Sequence, residues 1–328
     1  MKKAAVLSFL VVALLLAGGV KSQAQQPKKV PRIGYLSGIS LSANAARIEA
    51  LKQGLRELGY VEGKNILIEW RSAEQKLDRL PALAAELVRL KVDLIVSSAP
   101  PTTRAAKKVT VTIPIVMAFD DDPVENGFVA SLARPGGNIT GLATLSPEIG
   151  GKQLELLKEI IPKLSRLAVF GNSTLPQNVQ AVKEIELVAK ALGLKVQYLD
   201  VQNPKGIETA FRAAIKGRAG AILVLGNPIL NSQRTQVVEL AVKSRLPATY
   251  IRPEYVEDGG LMTYGVNMTD LFYRAATYVD KILKGAKPAD LPVEQPIKFE
   301  FIVNLKAAKA IGLTIPPNVL VRATKVIK

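Results

Sequence analysis

The chain has no cysteine and no histidine among its 328 residues. Without cysteine there are no disulfides, no thiol nucleophile and no cysteine to carry a lipid anchor. Without histidine, Ser-His-Asp and Cys-His nucleophile systems are excluded, and so are zinc sites that need an imidazole. Catalysis by carboxylate or lysine stays open, but the chain reads as a binder and not as an enzyme. Aromatic residues are scarce at 5%, with a single tryptophan. The formal charge is +16, a balance that can mean a nucleic-acid partner or attraction to an anionic membrane face. Yet the basic residues are scattered and set beside carboxylates, as in Arg56-Glu57 and Lys183-Glu184. No basic-aromatic stacking pattern is present, so the charge reads as a solvated surface and no nucleic-acid partner is expected.

Long apolar runs are also missing, with one exception. Ala4 to Ala17 is apolar, follows Lys2 and Lys3, and precedes Ser22-Gln23-Ala24. The run is short of the roughly 20 residues a membrane span needs. Basic start, apolar middle and small-x-small end together read as an export signal over 1–24, cleaved near Ala24. An exported chain without cysteine is expected to be soluble in the periplasm, and a monomer.

What is present is a strict rhythm. After a polar linker over 25–29, short apolar strands alternate with amphipathic helices: strand 33–37, helix 43–58, strand 65–70, helix 77–90, strand 92–97, a helix from 102, strand 113–119 and a helix over 124–133. Continuous apolar strands in a βαβ alternation predict a parallel sheet covered on both faces. Pro135-Gly136-Gly137 then stops the helical pattern, and Asn138 to Thr144 is extended and β-branched. A second set of similar length follows, from a helix at 149–161 to a strand at 297–303. The reading is therefore two Rossmann-like lobes. Gly136, Gly137, Thr144 and Asn267 are the hinge residues through which the lobes close.

Open α/β sheets take ligands at the carboxyl ends of their strands. In the first set those ends carry Ser37-Gly38-Ile39-Ser40, then Ser98-Ala99-Pro100-Pro101-Thr102-Thr103, then Asp120-Asp121-Asp122. In the second set they carry Asn172, Asn227, Tyr250 with Glu254, and Tyr264 with Asn267. Any one of these can be a helix cap. Polar residues at nearly every strand end of both sets favour a binding cleft. Three adjacent aspartates converge poorly on one ion, so no metal is expected; the run suits a ligand ammonium or a cap. The glycines at 136–141 and 150–151 lack the spacing of nucleotide loops, and no cofactor is expected.

Three long stretches carry a resemblance: "GLRELGYVEGKNILIEWRSAEQKLDRLPALAAELVRLKVDLIV" (54–96), "DPVENGFVASLARPGGNITGL" (122–142) and "YVDKILKGAKPADLPVEQPIKFEFIVNLKAAKAIGLTIPPNVLVRA" (278–323). They resemble bacterial ABC-transporter substrate-binding proteins of the tryptophan/tyrosine type. The resemblance implies a type I periplasmic-binding-protein fold, with two lobes joined by three crossovers. The lobes would comprise 30–143 with about 267–290, and 144–266 with about 291–328. It also implies a small ligand between them and delivery to an ABC permease. Asp122-Pro123 matches the family. Ser98-Ala99-Pro100-Pro101-Thr102 stands where many relatives have Gly-Thr-Pro-Ala-Ala, and Tyr264-Gly265-Val266-Asn267 where many have Tyr-Gly-Pro.

For an amino-acid-like ligand, N–H groups near Ser98 to Thr103 would hold the carboxylate at a helix amino end. Asp120 or Asp122 would hold the ammonium, and Asn172, Asn227 and Asn267 would add hydrogen bonds. Tyr35, Tyr250 or Tyr264 would form the apolar wall. A sensor subunit for a membrane receptor would share this cleft. A carboxylate hydrolase would need a facing carboxylate pair, which the strand ends do not supply.

Overall fold

The computed structural model describes residues 30–144 and 148–328; the expected export signal lies outside them. The first sheet is built from β1 (Arg32–Ser37), β2 (Leu67–Ser72), β3 (Leu94–Ser97), β4 (Ile115–Asp120) and β5 (Ile139–Ala143). Its order is β2-β1-β3-β4-β5, all parallel. Its helices are α1 (Ala45–Glu57), α2 (Leu80–Arg89) and α3 (Pro100–Val109). The repeat of buried residues explains α2: Leu80, Leu83, Ala84 and Leu87 lie on one face, the 3–4 spacing of an amphipathic helix.

The second sheet runs β12-β11-β10-β9-β8-β6-β7. Its strands are β6 (Arg166–Gly171), β7 (Lys195–Asp200), β8 (Ala221–Val224), β9 (Ala248–Tyr250), β10 (Met262–Val266), β11 (Phe299–Asn304) and β12 (Lys325–Ile327). Strands β7-β6-β8-β9-β10 repeat the order of the first sheet. Both therefore reverse winding at one point, β1/β3 in the first and β6/β8 in the second, and crevices for ligands form there. One departure from an all-parallel sheet appears: β11 runs antiparallel to β10. Helices α4 (Glu148–Ile160), α5 (Pro176–Ala191), α6 (Gly206–Lys216), α7 (Pro228–Ser232), α8 (Arg234–Lys243) and α9 (Pro253–Glu257) precede α10 (Met268–Leu283), and α11 (Leu305–Ala310) and α12 (Pro317–Leu320) follow β11.

The chain leaves the first sheet at the carboxyl end of β5 and enters α4. It returns from the carboxyl end of β10 through Asn267 into α10, whose Leu271, Phe272 and Val279 share a core with Leu51 and Leu55 of α1. It crosses a third time to reach β11. Two crossings at strand carboxyl ends set the carboxyl edges of the two sheets toward each other. Backbone hydrogen bonds strap the crossings together: Ala143 N to Glu294 O (2.9 Å), Glu294 N to Gly141 O (3.1 Å) and Asn267 N to Lys298 O (3.0 Å). Val293 is buried in the first core, so the third crossing falls a few residues beyond 290.

Two expectations fail locally. Residues 124–133 form turns, not a helix. Asp122 Oδ1 accepts from the N–H groups of Val124 and Glu125, but Gly127 is left-handed at φ 67° and ends the coil after one turn. Phe128 and Val129 then drop into the core. Gly136 and Gly137 are also not a hinge. They precede β5, a full strand away from the crossing that follows its carboxyl end. Nothing lies within 4 Å of a Cβ built on Gly137. Gly137→Ala should therefore leave Tm unchanged within about 2 °C and ligand binding unaltered, as differential scanning calorimetry with and without ligand would show.

Candidate functional site

At the carboxyl end of β3 the backbone donors are already engaged. The α3 amino end begins with Pro100-Pro101, which have no N–H. The N–H groups of Thr102 and Thr103 both donate to Ala99 O (3.0 Å each), and that of Ser98 to Leu36 O. The Ala99 N–H donates to Thr102 Oγ1 (3.0 Å), and Thr103 Oγ1 bonds Ser97 Oγ (2.8 Å). Thr102 and Thr103 are fully buried. The expected carboxylate seat is closed, because local turns and prolines consume the donors a free helix end would offer. Ser37 Oγ bonds within its own turn to Ile39 O (2.7 Å), Gly38 sits against Leu77, and Ser40 Oγ accepts from Ala43 N.

Several residues of the second edge are likewise structural. Asn227 is fully buried, accepts from Ile229 N (2.8 Å) and donates to Val201 O (2.9 Å). Asn172 Oδ1 accepts from Thr174 N–H and O–H. Asn267 caps α10 through Asp270 N (2.9 Å). Tyr250 is no cleft wall: its ring is 1% exposed and stacks on Tyr255 at 4.6 Å inside the second core. Tyr35 is equally buried, packs on Trp70, and brings only its hydroxyl to the edge.

What remains unfilled is a set of acceptors. Asp120 ends β4 with no exposed surface. Its Oδ1 accepts from Asp122 N (3.0 Å) and Asn126 Nδ2 (2.8 Å), while its Oδ2 is buried without a partner. Burial is the main cause that pushes its pKa up to about 7, with the charges of Asp121 and Asp122 adding. Asn44, whose Nδ2 donates to Tyr35 OH (2.6 Å), leaves Oδ1 unfilled. From α4, Gln153 donates through Nε2 to Tyr250 O (2.9 Å) and Tyr264 O (2.8 Å), and its Oε1 is unfilled. Glu254 on α9 is bound through Oε1 by Arg47 Nη2 of α1 at 2.9 Å, a pair that spans the two lobes, and its Oε2 is unfilled. A buried polar atom without a partner costs about 1–3 kcal/mol; among the described residues four of the six such side-chain atoms are these, the others being Thr249 Oγ1 and Asp270 Oδ2.

Cations and rings complete the site. Arg252 lies close enough to Arg47 for their charges to oppose each other. Burial, then the charge of Glu254, raises the pKa of Glu300 on β11. Tyr264 is half-buried and stacks on Phe299 at 5.8 Å with rings 4° from parallel. The Thr144 N–H donates to Asp120 O (2.7 Å), so the first crossing is tied to the strand that carries Asp120. Among the described residues no group of three or more aspartates and glutamates could hold a metal, and no helix is long and apolar enough to cross a membrane.

Asn44, Arg47, Gln153 and Glu300 were not among the residues expected from sequence, because Asn44 directly precedes α1 and the others lie inside helices and a strand, not at strand ends. Gln153 had a signal: it is a polar residue next to Leu154, Leu156 and Leu157, on the side of α4 that is buried. Arg47→Met should leave Glu254 without its cation. The expected cost is about 1–3 kcal/mol in urea unfolding, with a larger radius of gyration for the ligand-free protein by X-ray scattering.

Comparison with known proteins follows the same lines. A family model described as ABC transporter substrate binding protein matches residues 32–327. The tyrosine-binding protein of Clostridioides difficile is 28% identical over 281 residues, covering 84% of this chain and 80% of that protein. A Streptococcus pneumoniae ABC domain solved in complex with L-Trp superposes with a TM-score of 0.79 at 28% identity, over 90% of this chain and 99% of its own. A conserved domain protein from Vibrio cholerae gives 0.79 at 29%, over 91% and 100%.

Proposed function

This chain belongs to the ABC transporter substrate-binding protein family, and from that premise we propose that it takes an aromatic amino acid, as a zwitterion, into the gap between its lobes. The observation that carries this reading is the set of buried acceptors without donors on both edges: Asn44 Oδ1, Asp120 Oδ2, Gln153 Oε1 and Glu254 Oε2. An ammonium group brings three N–H donors and a charge, and Asp120 is the anion it meets. The carboxylate goes to Arg47 and Arg252, which form the cationic side of the gap, and not to the closed α3 amino end. The ring lies along the Tyr264–Phe299 stack. That the Clostridioides difficile relative is a tyrosine-binding protein and the Streptococcus pneumoniae structure holds L-Trp supports the class.

The lobes are read as 30–143 with the segment from 267 to just past 290, and 144–266 with the remainder. Contacts made only when the lobes are together stabilise the closed form, and the ligand shifts the population toward it. The closed protein hands the ligand to an ABC permease. The export signal is removed near Ala24, and the mature chain works outside the cytoplasm as a monomer without catalysis.

Native mass spectrometry of protein purified without refolding should show a bound species with the mass of an amino acid. In a thermal-shift panel of amino acids, sugars and small acids, an aromatic amino acid at 100 times Kd should add about 2.7 kcal/mol. N-acetylated and amidated forms should bind poorly. A flat response to all amino acids, with a shift from a sugar, would overturn the reading.

A further inference from the structure

All five parallel strands of β6–β10 begin at one edge of the second sheet, at the pole opposite the gap. The segments that enter β6, β7, β8 and β9 there are Ile161–Arg166, Leu192–Lys195, Lys216–Ala221 and Lys243–Ala248. They carry Lys163, Arg166, Lys195, Lys216, Arg218, Lys243 and Arg245, all exposed, and not one aspartate or glutamate; the segment that enters β10 carries Asp258, which pairs with Arg234. Adjacent pairing brings them together: Arg166 lies opposite Lys195 in the β6–β7 register, and Arg166 Nη1 donates to Gly217 O (2.9 Å). At about 4.8 Å per strand, the row is about 14 Å wide. Among the described residues none of the seven is in an ion pair, whereas Arg32, at the matching edge of the first sheet, pairs with Glu69.

Cations at helix carboxyl ends answer the helix dipole, which accounts for Lys216. It does not account for Lys163, Arg166 and Lys195, which lead into strands. Arg218 and Arg245 sit at left-handed φ of 53° and 51°, positions that favour glycine. Exposed aliphatic side chains flank the row: Ile215 in the last turn of α6 (53% exposed) and Leu187 one turn before the end of α5 (65%). No aromatic ring for base stacking lies in these segments.

We propose that this pole is a docking surface for an anionic phospholipid bilayer. Basic side chains meet the headgroups and Ile215 and Leu187 sit at the acyl boundary. Because the pole lies opposite the gap, the bound molecule keeps the gap open to solution for loading, beside the membrane that holds its permease. This surface is independent of the ligand reading.

The test is co-sedimentation of the full chain with vesicles of phosphatidylglycerol and phosphatidylcholine, against vesicles of phosphatidylcholine alone. The variant is Lys195→Gln/Lys216→Gln/Arg218→Gly/Arg245→Gly, whose glycines suit the left-handed positions and should keep Tm and ligand affinity unchanged. The shared amino-terminal segment is the same in both proteins and cancels. Wild type should favour anionic vesicles, lose that preference at 0.5 M salt as screening shortens to about 4 Å, and bind at least about tenfold more tightly than the variant. No preference for anionic vesicles at low salt overturns the proposal. So does equal binding by the variant, or a salt-sensitive affinity for duplex DNA that matches the affinity for vesicles and is lost in step with it.

Discussion

Asp120→Asn is expected to weaken amino-acid binding on the order of 100-fold, because the charged hydrogen bond to the ligand ammonium is lost from a buried site. The variant keeps the acceptor that holds Asp122 N and Asn126 Nδ2, so its fold should survive. The more telling readout is pH. In the ligand-free protein burial lifts the Asp120 pKa to about 7, against about 3.9 for an exposed aspartate. The folded state thus holds its proton more tightly than the unfolded state. The stability this gives is fully present below about pH 4 and is lost as pH rises through about 7. An ammonium ligand needs the ionised form and must expel that proton, so affinity should climb by up to about tenfold per pH unit below 7 and level off above it. In the asparagine variant both slopes disappear, and at pH 8 the ligand-free protein gains up to about 4 kcal/mol over wild type. Calorimetric titration from pH 5.5 to 8.5, with the amino acid that gives the largest thermal shift, decides it. Equal affinity and equal pH slope in the two proteins would remove Asp120 from the site.

Gly54→Val should cost about 3–5 kcal/mol, lowering Tm by roughly 10 °C or more. Gly54 lies on α1 where it meets α10, and a Cβ there would stand 2.5 Å from Tyr273 O and 2.8 Å from Ala276 Cβ. The first obstacle is backbone within a helix, which cannot turn aside as a side chain would. The only relief is to move α10 outward, away from Leu51 and Leu55. That helix is also the element the second lobe sends back to the first, so its displacement pulls on the crossings at Asn267 and beyond Leu283. Ligand affinity should fall along with stability. Gly285→Ala is the control: its φ is 99° but nothing lies within 4 Å of a Cβ there, so about 1 kcal/mol is expected. Urea unfolding of the three proteins side by side measures both. A Gly54→Val midpoint close to that of Gly285→Ala would mean that the two helices do not approach as closely as described.

The architecture was legible in the order of the residues. Apolar strands alternate with amphipathic helices in two sets, and this local periodicity is enough to specify two parallel-dominated sheets covered on both faces. The absence of histidine and cysteine removed whole classes of chemistry, and the long stretches at 54–96, 122–142 and 278–323 carried the family. That order also singled out Asp120, which ends β4, Tyr264, which lies within β10, and Glu254, which lies on α9. It could not tell a cap from a ligand contact. Whether Thr102, Asn172 or Asn227 is free depends on N–H groups two or three residues away, and so on backbone angles that composition does not reveal. It could not find Arg47 with Glu254, 207 residues apart, or Gln153 with the carbonyls of Tyr250 and Tyr264, 97 and 111 residues away. Nor could it show that the basic residues of the second lobe gather on one edge. Periodicity is a property of neighbours in the chain, whereas an unfilled hydrogen-bond acceptor and a patch of one charge are properties of neighbours in space, and only the folded backbone brings those together.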